Sequence, residues 1–292
     1  MVNLNRQALA PGIYLIATPI GAARDITLRS LDILASADVI AAEDTRSLRK
    51  LMDIHGIALE GRPLIAYHDH NGAQARPRLM AALEAGKSVV YASEAGTPMV
   101  ADPGFDLARA AIAAGHCVIS APGPSAVVTA LTLSGLPTDR FLFAGFLPST
   151  CAARKTALRD LAAVPATLAF YESPKRVAAM LRDAADVLGG DRAAALCREL
   201  TKKFEEVLRG TLAELAQELQ ATPRKGEMVV VIDRAGEVSV NESDIETALR
   251  AVMGNMSVRD AADAVSHDLG LKRRQVYQIA LRIGADERGH DG

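Results

Sequence analysis

At 292 residues the chain is long enough for two modest hydrophobic cores or one large one. Hydrophobic residues at 49% and charged residues at 23% exclude a disordered chain. A formal charge of -2 excludes a generally basic nucleic-acid binder, so any contact with a polyanion must come from a local patch. Aromatic residues are few (six Phe, five Tyr, no Trp), which argues against a broad base-stacking sheet. Cys117, Cys151 and Cys197 form no CxxC pair, so neither a disulfide framework nor a thiolate metal site is expected, and a reducing cytoplasm fits. The N-terminal segment shows no signal-peptide pattern. Residues 110–138 carry no Asp, Glu, Lys or Arg, but Gly115, Pro122, Gly123, Pro124 and Gly135 break the run. The expectation is therefore a soluble chain with no membrane span.

In chain order, apolar runs alternate with amphipathic stretches. The pattern predicts strands at Ile13–Thr18, Val39–Ala42, Leu64–Tyr67, Ser88–Ala92 and Cys117–Ser120. Between them it predicts helices at Thr27–Ala37, Thr45–Ile54, Ala73–Ala85 and Phe105–Ala114. Strands separated by helices imply an α/β unit with a parallel sheet. A helix at Ser125–Leu133 and a strand at Phe141–Ala144 follow, then a loop at Pro148–Ala153. Helices are expected at Lys155–Leu161, Pro174–Leu188 and Leu212–Leu219, and strands at Thr167–Tyr171, Ala193–Cys197, Phe204–Arg209 and Met228–Ile232. Phe204–Arg209 reads as a strand because helix-disfavouring Gly210 follows it. Shorter connections make this second sheet mixed. Residues 234–243 are polar and read as a linker; Asp244–Met253, Ser257–Asp268 and Lys272–Ile283 then read as three short helices. The expected division is an N-terminal α/β domain (1–121), a second α/β domain (122–235) and a helical, helix-turn-helix-like appendage (241–285).

Ligands of open α/β sheets sit beyond the carboxyl ends of the strands. The segments there are 17–21 (ATPIG), 42–46 (AEDTR), 68–71 (HDHN), 93–98 (SEAGTP) and 121–126 (APGPSA). Any one alone is ordinary turn chemistry, but five on one sheet edge predict a ligand cleft. There is neither a GxGxxG nor a GxxxxGK[ST] pattern, so the dinucleotide and P-loop readings lose their support. His68 and His70 lack a third ligand at a recognisable spacing, so no metal is expected.

Taken in order, ATPIG, AEDTR, YHDHN, AGTPMVADPG, PGPSA, FAGFLP, FYESPKR, RELTKKFEE and KGEMVVVI resemble the tetrapyrrole-methylase-type (class III) S-adenosylmethionine methyltransferases. Within these they look most like the bacterial 16S rRNA 2'-O-ribose methyltransferase branch. The resemblance runs from about Ile13 to Ile232, and the tail resembles that branch's helical appendage. It implies two α/β domains with the cofactor, S-adenosylmethionine, in the cleft between them. Carried over residue by residue, it places Pro19, Glu94, Gly96, Thr97, Pro98, Val100, Ala101, Ser125 and Ala126 around the cofactor. From the second half it adds Tyr171, Arg198, Leu200, Gly226 and Met228. It further implies a homodimer acting on 16S rRNA of the small ribosomal subunit, at a cytidine of the decoding region (cytidine-1402). Glu94 stands where the branch carries Asp, and Gly72 where an acidic residue commonly follows the Asn.

A weakly acidic ribose hydroxyl benefits from a proton acceptor. The candidates are Glu43, Asp44, His68, Asp102 and Glu199; Glu43, Asp44 or Asp102 equally suit helix caps. For RNA phosphates the candidates are Arg46, Arg49 and Lys50 on one helical face, Lys202 and Lys203, and Lys272, Arg273 and Arg274. Residues 241–292 nonetheless hold seven Lys or Arg against nine Asp or Glu, so the tail is not basic as a whole. Two rival functions remain at this level. One is methylation of a small tetrapyrrole carbon; the other is a non-catalytic RNA-binding role in ribosome assembly.

Overall fold

The computed structural model describes residues 4–100, 104–235, 242–269, 271 and 273–289, the last five of these by backbone only. They fall into two compact units, one ending at Ala235 and one beginning at Gly236.

The first unit opens with a five-stranded parallel sheet. Its strands are β1 (Gly12–Ile16), β2 (Val39–Ala42), β3 (Leu64–Ala66), β4 (Ser88–Ala92) and β5 (Val118–Ala121), in the order β3-β2-β4-β1-β5. Helices α1 (Leu28–Ser36), α2 (Thr45–Ile54), α3 (Gly72–Glu84) and α4 (Gly104–Ala113) connect them. β1, β2 and β4 are buried along their whole length, and alternate residues serve two different cores. Tyr14, Ile16, Val90 and Ala92 pack with Leu31, Leu34 and Met52. Ile13, Leu15, Val89 and Tyr91 pack with Leu79, Leu83 and Leu107. This double burial is why the strands read as continuous apolar runs. Each fully buried Leu contributes about 1.5–3 kcal/mol relative to exposure. Helix starts follow local chemistry: the Thr27 side chain caps α1 through Ser30 N–H, and Asp44 caps α2 through Arg46 N–H (2.8 Å) and Ser47 N–H (3.4 Å).

The second sheet is mixed, with β6 (Phe141–Phe146), β7 (Thr167–Glu172), β8 (Ala193–Arg198), β9 (Glu206–Thr211) and β10 (Met228–Ile232) in the order β6-β7-β10-β8-β9. Only the β6–β7 pair is parallel. Helices α6 (Cys151–Leu161), α7 (Val177–Leu188) and α8 (Leu212–Ala221) cover one face, where Leu168, Phe170, Val230 and Ile232 point. Helix α5 (Ala126–Ser134) covers the other, against Ala169, Val229 and Val231. Ile20, from the loop after β1, joins that same cluster, so the two sheets share packing at one edge.

Three of the boundaries that differ from the expectation have a local physical cause. The expected loop 148–153 already contains the first turn of α6, because Arg154 is not a surface residue. Its guanidinium is buried, bonded to Asp183 (2.7 Å) and to the Pro148 and Ser149 carbonyls. Helix α7 starts at Val177 and not at Pro174. The Ser173 carbonyl accepts both Arg176 N–H and Val177 N–H (3.0 Å each), forming a turn before the helix. β9 runs two residues later than expected: Gly210 pairs with Ala194 inside the ladder instead of ending it. A Cβ there would lie 2.9 Å from Glu214 Oε2, and that carboxylate completes the capping box with Thr211 that starts α8.

In the second unit, α9 (Glu242–Met253), α10 (Val258–Asp268) and α11 (Arg273–Gly289) surround Ile245, Leu249, Val265, Val276 and Ile279. Ser257 caps α10 by accepting Asp260 N–H (3.2 Å), while its hydroxyl donates to the Asp260 carboxylate (2.6 Å). The Asp side chain thus meets the hydroxyl of its capping partner.

Candidate functional site

At the shared edge of the two sheets lies a cleft of about 790 Å³. Pro19, Ile20 and Gly21 line it from the loop after β1, Glu43 and Ser47 from the start of α2, and 94–97 with Val100 from the loop after β4. Ser125 and Ala126 come from the start of α5. The second sheet adds Phe146, 171–174, Cys197, Glu199, Leu200, Lys202 and 226–229.

Its floor is held by backbone. Thr18 and Gly96 exchange N–H···O=C bonds (2.9 and 3.0 Å), and the Ser93 hydroxyl donates to the Gly96 carbonyl (2.7 Å). Gly96 has φ +80°, so the loop needs a residue without Cβ strain. Thr97 Oγ1 donates to the Pro124 carbonyl (2.8 Å), tying this loop to the one before α5.

The far wall is a turn at 199–202. Glu199 and Thr201 have positive φ (49° and 63°), which is unusual for residues other than Gly and tends to persist only where surroundings over-determine it. The surroundings do so. Glu199 N–H donates to the Glu227 carbonyl (2.9 Å), and Glu199 Oε1 accepts Glu227 N–H (2.8 Å) and Lys202 Nζ (3.1 Å). Lys202 also reaches Glu227 Oε2 (3.0 Å). Across the cleft, Ala22 N–H donates to Thr201 Oγ1 (3.0 Å). Gly21 is packed so tightly that a Cβ would sit 2.5 Å from Thr201 Oγ1 and 2.8 Å from the Leu200 carbonyl. The turn therefore joins the first loop of one sheet to the last strand of the other.

Electrostatics follow from these contacts. The Glu227 N–H, with Lys202 beside it, holds the Glu199 carboxyl below its ordinary value. Burial pulls the Lys202 ammonium down, but the Glu227 and Glu199 carboxylates outweigh it and its value is raised. Arg46 N–H lowers Asp44. Burial raises the Tyr171 hydroxyl, against the opposing effect of a Val127 backbone contact. Cys197 lies on the cleft wall, but burial pushes its thiol up to about 11, so it is no nucleophile at neutral pH.

Of the residues singled out as cofactor contacts, Pro19, Glu94, Gly96, Thr97, Val100, Ser125, Ala126, Tyr171, Leu200, Gly226 and Met228 meet on this cleft. Pro98 is buried in the same loop but off the wall. The Arg198 guanidinium turns to the Lys225 carbonyl (2.5 Å) and Glu206 (3.4 Å). Among the proton-acceptor candidates, Glu43 and Glu199 line the cleft, and Glu43 Oε2 accepts Glu94 N–H (3.0 Å). Asp44 is engaged in capping α2, and His68 is not on the wall. Ala101, Asp102 and Lys272 lie outside the described residues. Among the described residues no cluster of three His, Cys, Asp or Glu offers a metal site, and the His68 and His70 rings are 6.1 Å apart.

The phosphate candidates divide. Arg46 is 92% exposed although it reaches Asp44 (3.6 Å), Lys50 and Arg274 are exposed, and Lys203 lies over the Phe204 ring (5.6 Å). Arg49 pairs with Asp53 (3.2 Å), Arg273 with Asp263, and Lys202 is held as described. Gly21, expected in a ligand loop, and Glu227, which the resemblance places beside the cofactor between Gly226 and Met228, also line the cleft, whereas the sequence gives Phe146 no role. A Gly between two Phe in FAGFLP was the available signal for Phe146, since Gly inside a strand marks a bulge.

A family model described as Tetrapyrrole (Corrin/Porphyrin) Methylases matches residues 12–216, and one described as RsmI C-terminal HTH domain matches residues 239–284. Ribosomal RNA small subunit methyltransferase I of Mesorhizobium japonicum is 47% identical over 286 residues, 97% of this chain and 96% of that one. Among solved structures, a conserved hypothetical protein from Aeropyrum pernix K1 matches with a TM-score of 0.62 at 19% identity, over 96% of this chain and 98% of the other. Uroporphyrin-III C-methyl transferase from Thermus thermophilus, complexed with S-adenyl homocysteine, matches with a TM-score of 0.53 at 21% identity, over 75% and 96%. At these identities the two structures bear on the fold alone. No helix among the described residues is long and apolar enough to cross a membrane.

Proposed function

The chain belongs to the tetrapyrrole methylase family and, within it, to the ribosomal RNA small subunit methyltransferase I branch, and from that premise we propose that it methylates a ribose 2'-hydroxyl of a decoding-region cytidine in 16S rRNA. The observation that supports this reading is 47% identity to a ribosomal RNA small subunit methyltransferase I along both units, the helical tail included. A methylase of small tetrapyrroles would have no evident use for that tail. The cofactor is S-adenosylmethionine, and the cleft suits it. Its wall combines apolar surface (Ile20, Ala126, Leu200, Met228) with carboxylates (Glu43, Glu94, Glu199), complementary to a purine and to a cationic sulfonium and ammonium. Bound there, the cofactor supplies an electrophilic methyl group.

The chain's own task is positioning. Holding a hydroxyl oxygen in line at near-attack distance supplies much of the acceleration for such a transfer. In this reading Glu199 is a positioning residue and not the proton acceptor, because a lowered carboxyl is a weak base at neutral pH. Its folded value lies below its unfolded one, so its contribution to stability is present above about 4.3 and is lost as pH falls through the folded value. Glu199→Gln keeps an oxygen for Glu227 N–H and should retain most activity with an unchanged pH profile. Glu199→Ala should weaken cofactor binding at least about tenfold. Loss of the acid limb of the profile in Glu199→Gln would return Glu199 to the role of base.

The exposed Arg46, Lys50, Lys203 and Arg274 are the proposed phosphate contacts, in a cytoplasmic homodimer bound to the small subunit. Purified protein, labelled cofactor and small subunits should yield one 2'-O-methylated linkage resistant to alkaline cleavage. Label on a base carbon or nitrogen, or none on RNA, would sink the reading.

A further inference from the structure

FAGFLP is a motif the proposed function leaves without a role. Within it β6 departs from regular pairing: Phe143 lies opposite Ala169 and Phe146 opposite Tyr171, three residues against two, with Gly145 at φ +66°. A bulge of this kind re-aims the side chain beyond it and is frequent beside active sites. Here it delivers Phe146 to the cleft wall with 57% of its surface exposed. Its ring stands edge-on to Tyr171 (centroids 5.6 Å, interplanar 61°), and Tyr171 is flanked in turn by Phe143 at 4.8 Å. Tyr171 thus props Phe146 in place.

Other exposed Phe side chains have different surroundings. Phe105 lies under the Arg109 guanidinium, Phe204 under the Lys203 ammonium, and Phe141 sits at the opposite end of β6. None of these lines the cleft. A 57%-exposed aromatic ring on a ligand wall forgoes burial unless a flat partner covers it.

We propose that Phe146 is a stacking platform for the base of the acceptor nucleotide in the RNA. The inference rests on the proposed function. A ribose hydroxyl brought to the methyl group carries its base with it, to within a few ångströms. Bases presented to enzymes in this way are unstacked from their neighbours and commonly restack on aromatic side chains. Stacking tolerates any base, so it fixes the place of the nucleotide and leaves its identity to other groups.

The test measures kcat/KM on small subunits, cofactor Kd by calorimetry, and sedimentation, for wild type and for Phe146→Ala, Phe146→Leu and Phe146→Trp. Phe146 is exposed, so these variants should fold. We expect kcat/KM to fall at least about tenfold in Phe146→Ala, to stay low in Phe146→Leu and to recover in Phe146→Trp, with cofactor Kd and mass unchanged. Unaltered kcat/KM in Phe146→Ala overturns the inference. So does a matching loss of cofactor affinity, which would make Phe146 a cofactor contact, or a change of mass, which would make it a subunit contact. Wild-type protein that methylates no RNA would instead refute the function on which the inference rests.

Discussion

Replacing Arg154 by Ala is expected to destabilise the first unit by about 3–5 kcal/mol. The Arg154 and Asp183 side chains are each only 5% exposed and lie 2.6–2.7 Å apart through two guanidinium nitrogens. Remaining donors of Arg154 go to the Pro148 and Ser149 carbonyls, and Cys151 Sγ lies 3.4 Å from Asp183. Removing the guanidinium strands a buried carboxylate whose other cation, Lys155, is 3.7 Å away and already spent on Asp186 at 2.7 Å. It also removes a donor from the Ser149 carbonyl just before α6, while the Pro148 carbonyl keeps Arg176 (3.2 Å). A loss of this size is a large share of a typical domain's 5–15 kcal/mol, so the denaturant midpoint should move by a wide margin. The double replacement Arg154→Met with Asp183→Leu should recover much of it, since the stranded charge is then gone. A single variant within 1 kcal/mol of wild type would mean that water reaches Asp183.

The same Arg154 shows where sequence reading ends. Alternating apolar runs make both sheets legible, because β1, β2 and β4 are buried on both faces and the helices between them carry apolar stripes. A buried Arg breaks that logic: it reads as surface and hides the start of α6. Gly210 misleads in the opposite way: expected just past the strand, it pairs inside the ladder, and its missing side chain leaves room for the Glu214 carboxylate. At the cleft, small residues after strands are visible as loops. Which of them face a common space depends on the Glu199 turn, whose positive φ values no residue preference announces. Phe146 depends on a bulge, and Lys202 on two carboxylates, one three residues back and the other 25 residues on.

That dependence makes Gly226 the most sensitive point of the cleft. Gly226→Ala should raise cofactor Kd on the order of a hundredfold, which corresponds to roughly 2.7 kcal/mol. Two independent costs combine there. The backbone sits at φ +103°, a region that a residue with a Cβ enters only at a cost of about 1–3 kcal/mol. The added methyl would also lie 2.5–2.6 Å from Glu199 Cγ, Cδ and Oε1, nearer than real Cβ contacts come. Glu199 cannot simply swing aside, because the same carboxylate accepts Glu227 N–H and Lys202 Nζ. The strain is therefore relieved by moving the 199–202 turn, which also carries the contact from Thr201 to Ala22 on the facing loop. Binding should suffer more than folding, since the turn is a wall of the cleft and contributes only Leu200 to the buried core. A double-mutant cycle separates the two costs. Glu199→Ala removes the collision and leaves the φ penalty, so Gly226→Ala should do less harm in the Glu199→Ala background than in wild type. Strict additivity would assign the whole effect to backbone conformation. Unchanged cofactor affinity in a folded Gly226→Ala protein would show that the cleft does not need this turn in its present place.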